Sequence, residues 1–466
     1  MSPTRRDFLR HAACALGGAA LVSSVESFQL VNALTPQAAT DYRALVCVFM
    51  NGGNDGNNMV VSLDQYAAYS TARNAAGLAI PQASLLPVSP ANGGGSFGLH
   101  PNMPEMQARF NEGRLAVLCN VGPLVEPLTR ATYQNGTGKR PLQLFSHSDQ
   151  IGLFQTAVAN TVSQTGWGGR VADLTGVLNG AATFPQNISI AGLNLFLSGA
   201  DTRQLAIGDS NTALSNVLPL TMTGSTAERT SRRAAFDELR VLDHNFKLVR
   251  AASDTRSSAL QTSAALASVN PALNTLFPNT SLGRQLLQIA RLIKASTDPA
   301  AGINMKRQIF FAQIGGFDTH SNQRTNGQDA LLLQVSQALN AFYHATVELG
   351  VQNNVTTFTL SDFGRTLQPA GSGASVGSDH AWGNHHLVLG GAVNGQRFYG
   401  TYPTLALGGP DDTDGGSTPR GRWIPTTSVE QYAATLAAWY GLSTSDFPAV
   451  FPLIDRFPSS NLGFML

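Results

Sequence analysis

The run ALVCVFM at residues 44–50 is apolar at every position, and the polar, glycine-rich run NGGNDGNN at residues 51–58 follows it directly. A strand with one solvated face alternates apolar and polar residues, whereas a strand buried on both faces reads as a continuous apolar run. Residues 44–50 are therefore predicted to form a central strand of a sheet that is covered on both sides. Residues 51–58 are predicted to form a tight loop at its carboxyl end.

Similar apolar runs recur along the chain and alternate with segments of helical periodicity. Strands are predicted at residues 115–121, 187–191, 195–197, 308–314, 355–360, 387–389 and 397–399, the second and third of them as a hairpin. Helices are predicted at residues 102–113, 146–159, 281–296, 329–349 and 429–440, and an Arg-, Ala- and Ser-rich stretch at 226–267 is predicted to be an inserted long helix or helical pair. This alternation is typical of an α/β fold with a parallel, doubly wound sheet. We therefore predict one domain over residues 41–466.

The composition restricts the possible functions. The chain has 466 residues, of which 43% are apolar, and this is enough for one large core. Its net charge is +1 and only 13% of its residues are charged. It therefore lacks the basic excess of a nucleic-acid-binding surface, and we expect no nucleic-acid partner.

Two of the 3 cysteines lie inside predicted strands. Cys47 and Cys119 are each flanked by apolar residues, a setting in which a free thiol behaves as a small hydrophobe. We predict that both are buried and reduced. A disulfide between them is the alternative, and it would require their two strands to be neighbours.

The amino-terminal segment predicts export. The sequence RRDFL at residues 5–9 is followed by an Ala- and Gly-rich apolar stretch at residues 12–22. A charged start with a short apolar run is typical of a signal peptide, and the paired arginines are typical of the twin-arginine type. A chance Arg-Arg pair is the alternative. We predict that residues 1–33 are a signal peptide that engages the twin-arginine translocation machinery and delivers the protein to the periplasm or the medium. No later run reaches the ~18 apolar residues of a membrane span.

Acidic and imidazole side chains cluster at predicted strand ends in the last third of the chain. Divalent cations bind carboxylate oxygens and imidazole nitrogens, and loops beyond the carboxyl ends of strands bring such groups together in an open α/β sheet. An Asp-x-His pair in extended backbone places both side chains on one side, so Asp318 and His320 can share an ion. A turn with a surface histidine is the alternative. The candidate ligands are Asp318, His320, Asp362, His380 and one of the adjacent pair His385 and His386.

Two further residues are candidates at the same edge of the sheet. Asp55, in the loop after the first strand, is a candidate metal ligand, and an ordinary Asn-Gly turn is the alternative. Arg365 can clamp an anion through its planar guanidinium, or it can simply pair with Asp362.

Ser146 is the candidate nucleophile. It precedes a predicted helix, where exposed backbone amides and the positive end of the helix dipole favour a phosphate or sulfate. The alternative is a plain helix N-cap. No Gly-x-Ser-x-Gly motif surrounds it, so a metal-independent serine hydrolase matches the sequence less well.

In this order the motifs resemble the exported bacterial family called Domain of Unknown Function 1501. The resemblance rests on the leader, on GGNDG at residues 52–56, SH at 146–147, GFDTH at 316–320, SDFGRT at 361–366, DH at 379–380 and RGR at 420–422, and it extends over nearly the whole chain. The family is grouped with the alkaline phosphatase and sulfatase superfamily. The resemblance implies an α/β, parallel-sheet three-layer sandwich in which Asp and His at strand ends hold metal ions.

The resemblance also implies roles for individual residues. Asp55 would match the first-strand aspartate, Ser146 the nucleophile, Asp318 with His320 the pair at one metal, Asp362 the aspartate at the other, and His380 with His385 or His386 the late histidines. In the superfamily a histidine usually follows the strand-end aspartate, whereas here Phe363 follows Asp362. Unless His380 compensates, the chain binds one ion or has lost turnover.

We therefore expect an exported hydrolase of phosphate or sulfate esters that depends on one or two divalent cations, Zn or Ca/Mn. Ser146 would attack the ester and Arg365 would hold the anion of a small-molecule or polysaccharide substrate. A non-catalytic exported metal-binding or scaffold protein with the same fold is the alternative.

Overall fold

The computed structural model describes residues 38–216, 225–241, 246–267, 272–299, 303–324 and 326–466. The predicted signal peptide at residues 1–33 lies outside the described residues. The strands are β1 (Arg43–Met50), β2 (Val60–Ser62), β3 (Leu86–Val88), β4 (Phe97–Leu99), β5 (Leu115–Gly122), β6 (Asn187–Ser189), β7 (Gln204–Ala206), β8 (Arg307–Ile314), β9 (Val355–Ser361), β10 (Arg365–Ala370), β11 (Gly377–His380), β12 (Asn384–Gly390), β13 (Arg397–Tyr399) and β14 (Thr427–Ser428).

The α-helices follow the predicted periodicity at most positions. They are α1 (Gly56–Met59), α2 (Tyr66–Arg73), α3 (Pro104–Asn111), α4 (Arg130–Gln134), α5 (His147–Thr156), α6 (Trp167–Thr175), α7 (Thr226–Val241), α8 (Lys247–Ala267), α9 (Ser281–Thr297), α10 (Gln328–Glu348), α11 (Val429–Tyr440) and α12 (Phe447–Val450). The stretch at 226–267, predicted as one long helix or a pair, contains α7 and α8.

A mostly parallel sheet forms the centre of the described chain. Its strand order is β13-β5-β12-β9-β1-β8-β6-β7, with β14 also paired to β5. Strand β12 runs antiparallel to both of its neighbours, β5 and β9, whereas the other pairs in this sheet are parallel. The predicted α/β sheet is therefore confirmed. The antiparallel direction of β12 is an addition that the apolar runs did not predict, because they carry no information about direction.

Helices cover both faces of this sheet. Alternate residues of β1 point to opposite sides: Val46 and Val48 belong to a core cluster shared with α3, α9 and α10, and Cys47 and Phe49 belong to one shared with α5, α6 and α11. Every residue of β1 from Ala44 to Met50 is at most 1% exposed. The result is a three-layer sandwich, as the continuous apolar run predicts.

The two cysteines of the described chain are buried and free. Strands β12 and β9 separate β5, which carries Cys119, from β1, which carries Cys47. The two thiols also belong to core clusters on opposite faces of the sheet. The prediction of buried, reduced cysteines is confirmed, and burial raises the pKa of both thiols.

The predicted hairpin at 187–197 is wrong. Residues 187–189 form β6, which pairs in parallel with β7 at Gln204–Ala206, and residues 195–197 form no strand. Phe196 and Leu197 are fully buried in an irregular segment whose backbone accepts a hydrogen bond from the amide of Gly169 in α6. Their apolar side chains therefore serve packing against a helix, which a short apolar run cannot distinguish from a strand.

Two small sheets that were not predicted lie beside the main one. Strands β2, β4 and β3 form one, and the antiparallel pair β10–β11 forms the other. The chain enters β10 directly after the carboxyl end of β9, so β10–β11 lies at the edge where β1 and β8 also end. Among the described residues, no helix has the length and apolar character needed to cross a bilayer.

Candidate metal site

Three segments bring four side chains together at the carboxyl edge of the sheet. Asp318 and His320 follow β8, His380 ends β11, and His147 is the first residue of α5. The Oδ1 atom of Asp318 lies 3.4 Å from Nε2 of His147, 3.2 Å from Nε2 of His320 and 3.6 Å from Nε2 of His380. A tetrahedral zinc ion with bonds near 2.1 Å holds its ligand atoms about 3.4 Å apart. The spacing of this His/Asp cluster therefore fits one such ion.

The second nitrogen of each imidazole in the cluster contacts an acceptor. Nδ1 of His147 is 2.7 Å from Oδ2 of Asp362, Nδ1 of His380 is 2.8 Å from the carbonyl oxygen of Phe145, and Nδ1 of His320 is 3.1 Å from Oδ1 of Asp379. A carbonyl or carboxylate oxygen accepts, so each Nδ1 donates its proton, and in the neutral imidazole Nε2 then carries the lone pair. This is the support that metal-binding histidines receive in proteins.

Two observations test whether a cation fits these residues. Nε2 of His147 is buried and has no hydrogen-bond partner. The Nε2 atoms of His320 and His380 are 2.8 Å apart, and two lone pairs at this distance repel unless a proton or a cation lies with them. The ligand atoms of His147, Asp318 and His380 all lie within 4.8 Å of one another. A cation would satisfy all of these atoms at once.

Arg365 holds the carboxylate of Asp318. Its Nη2 donates to Oδ1 of Asp318 at 2.5 Å, and the side chain is fully buried. Burial raises the pKa of Asp318, but the hydrogen bond and charge of Arg365 outweigh it and bring the pKa below its usual value. The carboxylate is therefore kept ionised, in the form that binds a cation.

The predicted role of Arg365 as an anion clamp does not match its contacts. Its remaining hydrogen bonds, from Nε, Nη1 and Nη2, go to the carbonyl oxygens of Gly52, Gly53, Phe317 and Ser378. The alternative pairing with Asp362 is not seen, because the carboxylate within reach of the guanidinium is that of Asp318. Arg365 therefore joins the loops after β1 and β8 to strand β11 rather than facing a ligand.

Asp362 lies behind His147. One carboxylate oxygen accepts from the amide of Gly52 at 2.9 Å, and the other accepts from Nδ1 of His147. The side chain is fully buried, and burial raises its pKa despite the hydrogen bond from His147. Asp362 therefore orients a candidate ligand and is not itself one of the clustered atoms.

Asp55 lies outside the His/Asp cluster, contrary to its prediction as a ligand in the same cleft. It caps α1 by accepting from the amide of Asn57 and forms a fully buried ion pair with Arg73 at 2.6 Å. Gln323 donates to the same Oδ2 atom at 2.6 Å. Both oxygens of Asp55 are thus committed to protein donors, which leaves no free lone pair directed at an ion.

The adjacent histidines of β12 point to opposite faces of the sheet, as predicted. Nδ1 of His385 accepts from the amide of Asn120 at 3.1 Å, and its ring stacks on Tyr402. Burial lowers the pKa of His385 to about 4 and that of His386 to about 3. His385 therefore belongs to the core beneath the site, which corrects its prediction as a ligand.

Ser146 occupies the N-cap position of α5, but its hydroxyl makes no capping hydrogen bond. Its Oγ donates to Oδ2 of Asp149 at 2.6 Å, in the first turn of the helix. Two of the predicted ligands, Asp55 and Asp362, have fully buried carboxylates that are bonded to other groups and not to this hydroxyl. The catalytic role of Ser146 stays a prediction.

His147 is a candidate ligand that the sequence did not predict. It stands next to Ser146, and the Ser-His motif predicts a nucleophile there rather than a ligand. Phe363, at the place where the resemblance implies a histidine, packs its ring against His147 and His380, with ring centroids 4.7 and 4.6 Å apart. His380 does join the cluster, so an imidazole from another strand occupies this part of the site.

The sequence matches a known family over most of its length. The profile described as "Protein of unknown function (DUF1501)" matches residues 42–412. The chain belongs to the DUF1501 family. No curated protein matches this DUF1501 chain.

Three solved structures illustrate which folds the DUF1501 chain resembles. The sulfatase PsFucS1 from Pseudoalteromonas sp. is 10% identical with a TM-score of 0.31, and the similarity covers 95% of this chain and 73% of that one. The periplasmic domain of EptC from Escherichia coli, in complex with Zn, is 10% identical with a TM-score of 0.27 over 76% and 74% of the two chains. A mutant of the alkaline phosphatase PafA is 10% identical with a TM-score of 0.26 over 71% and 64%. Function must therefore be argued from the site.

Proposed function

We propose that this DUF1501 protein is an exported, metal-dependent hydrolase of phosphate or sulfate esters. The observation that carries the proposal is the convergence of Nε2 of His147, His320 and His380 on one oxygen of Asp318. The exposed fraction of these four side chains ranges from 24% for His380 to 49% for Asp318. A substrate therefore has access to the cluster from solvent.

The donor set favours zinc over calcium or manganese. Three imidazole nitrogens with one carboxylate oxygen suit Zn²⁺, whereas Ca²⁺ and Mn²⁺ prefer oxygen ligands. A bound cation would polarise an ester oxygen and acidify water. We propose a single ion, because Asp55 and Asp362 give their oxygens to protein donors.

The nucleophile is proposed to be Ser146, with Asp149 accepting its proton. Ser146 lies between Phe145, whose carbonyl oxygen binds His380, and His147 of the cluster. Its Oγ already donates to Asp149 at 2.6 Å, which is the contact that a general base needs. Attack requires this side chain to turn towards the cluster, and water is the competing nucleophile.

The first test measures metal content and hydrolysis together. Protein purified without chelators should contain about one zinc per chain by elemental analysis and should hydrolyse aryl phosphates or aryl sulfates. His147→Ala should lose the metal and the activity, because it removes a ligand, whereas the exposed His344→Ala should keep both. Wild-type protein that binds no divalent cation would exclude the proposal.

The second test separates the two nucleophiles. Ser146→Ala should keep the metal and the fold but lose hydrolysis by ~100-fold or more if the serine attacks. Activity close to wild type in this variant would assign the attack to water. The neighbouring Ser148→Ala serves as the control, since Ser148 follows His147 and faces Asp149 at 3.4 Å.

A metal-binding protein without turnover is the second candidate. One observation favours it: His320 lies 3.2 Å from Asp318, beside the group of His147, Asp318 and His380. A fourth protein ligand is typical of structural zinc, whereas catalytic zinc keeps one position open. Stoichiometric zinc together with no hydrolysis of any ester in the panel would support this candidate over the hydrolase.

A further inference from the structure

A recess opens beside the His/Asp cluster, between the hairpin β10–β11 and the segment 407–420. Its volume is about 400 Å³, within the range of 300–1,000 Å³ that is common for small-molecule sites. The lining residues are Gln368, Pro369, Asp379, Leu407, Ser417, Thr418, Pro419 and Arg420. They comprise five side chains that carry hydrogen-bonding groups and three that are apolar.

Asp379 connects the recess to the cluster. Its Oδ1 atom accepts from Nδ1 of His320 at 3.1 Å, and its Oδ2 atom lies 3.6 Å from Nη1 of Arg420 across the recess. His380, the next residue of β11, turns its ring to the other side and into the cluster. A ligand that contacts Asp379 in the recess is therefore connected to the proposed metal through the side chains of Asp379 and His320.

The wall that carries Arg420 is held in place by a buried carboxylate. Asp412 is fully buried, and its oxygens accept from the amides of Gly408 and Gly421 at 2.9 Å each and from that of Arg422 at 3.1 Å. The carbonyl oxygen of Arg420 accepts from the amide of Gln368 in β10. The backbone at Arg420 is thus fixed on both sides.

The guanidinium of Arg420 is less constrained than its backbone. Half of the side chain is exposed, and its distance to Asp379 is too long for a direct hydrogen bond. Donor groups of Arg420 therefore remain available beside the acceptor Oδ2 of Asp379.

We propose that this recess binds a sugar ring of the substrate. The inference rests on the proposed ester hydrolase and names its substrate class as sugar esters. Neighbouring hydroxyls of a sugar each donate and accept, and Arg420 with Asp379 offers a donor next to an acceptor, while Ser417 and Thr418 offer both. Leu407 and the two prolines of the lining face the C–H groups of the ring. The lining carries one cationic side chain, Arg420, and one anionic side chain, Asp379, so its net charge is zero. This balance favours a neutral hydroxylated ring over an anionic group in the recess.

The experiment is a glycan-array measurement on the protein purified without chelators, so that the recess is tested in the metal-loaded state. The protein is displayed as a streptavidin-linked tetramer to raise avidity. Thr418→Trp should fill the recess and abolish binding, and Arg420→Gln should weaken it ~10-fold or more. Arg232→Gln, an exposed arginine on α7, removes the same charge and should bind as the wild type does.

The outcomes separate this inference from the proposed hydrolase. Glycan binding that Thr418→Trp abolishes supports the recess even if the metal-loaded protein hydrolyses nothing. No glycan binding by the wild type, or binding that Thr418→Trp leaves unchanged, overturns the inference even if aryl esters are hydrolysed. Near-ultraviolet circular dichroism of each variant verifies that the surface substitutions leave the fold intact.

Discussion

At the scale of single residues, Asp362 acts on the His/Asp cluster through His147. Its two oxygens accept from the amide of Gly52 and from Nδ1 of His147. The carboxylate thereby selects the tautomer of the imidazole that leaves Nε2 free. Because Gly52 and Asp362 follow different strands, β1 and β9, the orientation of His147 depends on the packing of the sheet.

Asp362→Asn tests this tautomer selection. Asparagine can still accept from Gly52, but its NH₂ group would face Nδ1 of His147 and favour the tautomer that protonates Nε2. We expect zinc affinity to fall by ~10–100-fold, the usual effect of losing such a partner, as measured by competition with a chromophoric chelator. Asp254→Asn, an exposed position on α8, removes the same charge and should have no effect. Equal affinity in the two variants would contradict the assignment.

His386 is a second residue whose role follows from burial. Neither of its ring nitrogens has a hydrogen-bond partner, and the ring lies between Phe154 and Tyr432. Burial of an unpaired polar group costs about 1–3 kcal/mol. The side chain therefore lowers the stability of the protein.

His386→Phe should raise the free energy of unfolding by about 1–2 kcal/mol at pH 7.5, as measured by urea denaturation. The pH dependence should change as well. Burial lowers the pKa of His386 in the folded protein to about 3, against about 6.5 when unfolded. Below pH 6.5 the unfolded chain binds this proton and the folded chain does not, so wild-type stability falls as the pH decreases towards 3.

The variant should lack that part of the acid dependence, about 2 kcal/mol between pH 7.5 and pH 5. The exposed His344→Phe is the control and should follow the wild type. An acid dependence as steep in His386→Phe as in the wild type would show that this histidine is not the group that titrates.

At the scale of elements, the hairpin β10–β11 holds His380 against His320 in the cluster. Gly377 of β11 lies so close to the segment after β8 that a Cβ would be 2.3 Å from the carbonyl carbon of His320. The amide of Ser378 donates to the carbonyl oxygen of Thr319. This contact sets the distance between His320 and His380.

Gly377→Ala tests the role of that close approach. The added methyl group would meet backbone atoms and push β11 away from the loop, so we expect at least ~10-fold weaker zinc binding together with a lower melting temperature. Gly315→Ala, in the same loop but with open space around its Cβ position, should keep both properties. Calorimetric titration with zinc and a thermal melt of each variant measure the two effects. Full zinc affinity in Gly377→Ala would exclude the hairpin as the element that positions His380.

At the scale of the whole molecule, the proposed twin-arginine export would link delivery to loading of the proposed metal. Twin-arginine export moves folded proteins, so a metal acquired in the cytoplasm would travel with the chain. A bound ion stabilises only the folded state, and export of the loaded form would therefore carry the more stable protein.

Arg5→Lys combined with Arg6→Lys should leave the protein in the cytoplasm, as measured by fractionation and immunoblotting. The motivating observation is the RRDFL sequence at residues 5–9. Arg10→Lys, outside the pair, should be exported normally. Periplasmic delivery of the double variant would rule out the twin-arginine route.

Local patterns determined the layers of the sandwich and part of the cluster. The continuous apolar run of β1 requires a covering layer on both faces of the sheet. This requirement does not depend on which strands lie beside β1. The period of two along extended backbone placed Asp318 and His320 on one side, and they lie 3.2 Å apart. The same period separated His385 from His386. These properties depend on residues a few positions apart, so the sequence suffices to predict them.

Tertiary packing alone decided which carboxylates and imidazoles remain free. Asp55 and Asp318 both follow buried strands, but Asp55 meets the buried Arg73 and Gln323, whereas Asp318 faces three imidazoles. His147 reaches the cluster from a helix far away in the chain. The partner that a polar group meets is set by segments that contact each other only after folding, and the high cost of burying an unpaired charge makes that partner decisive.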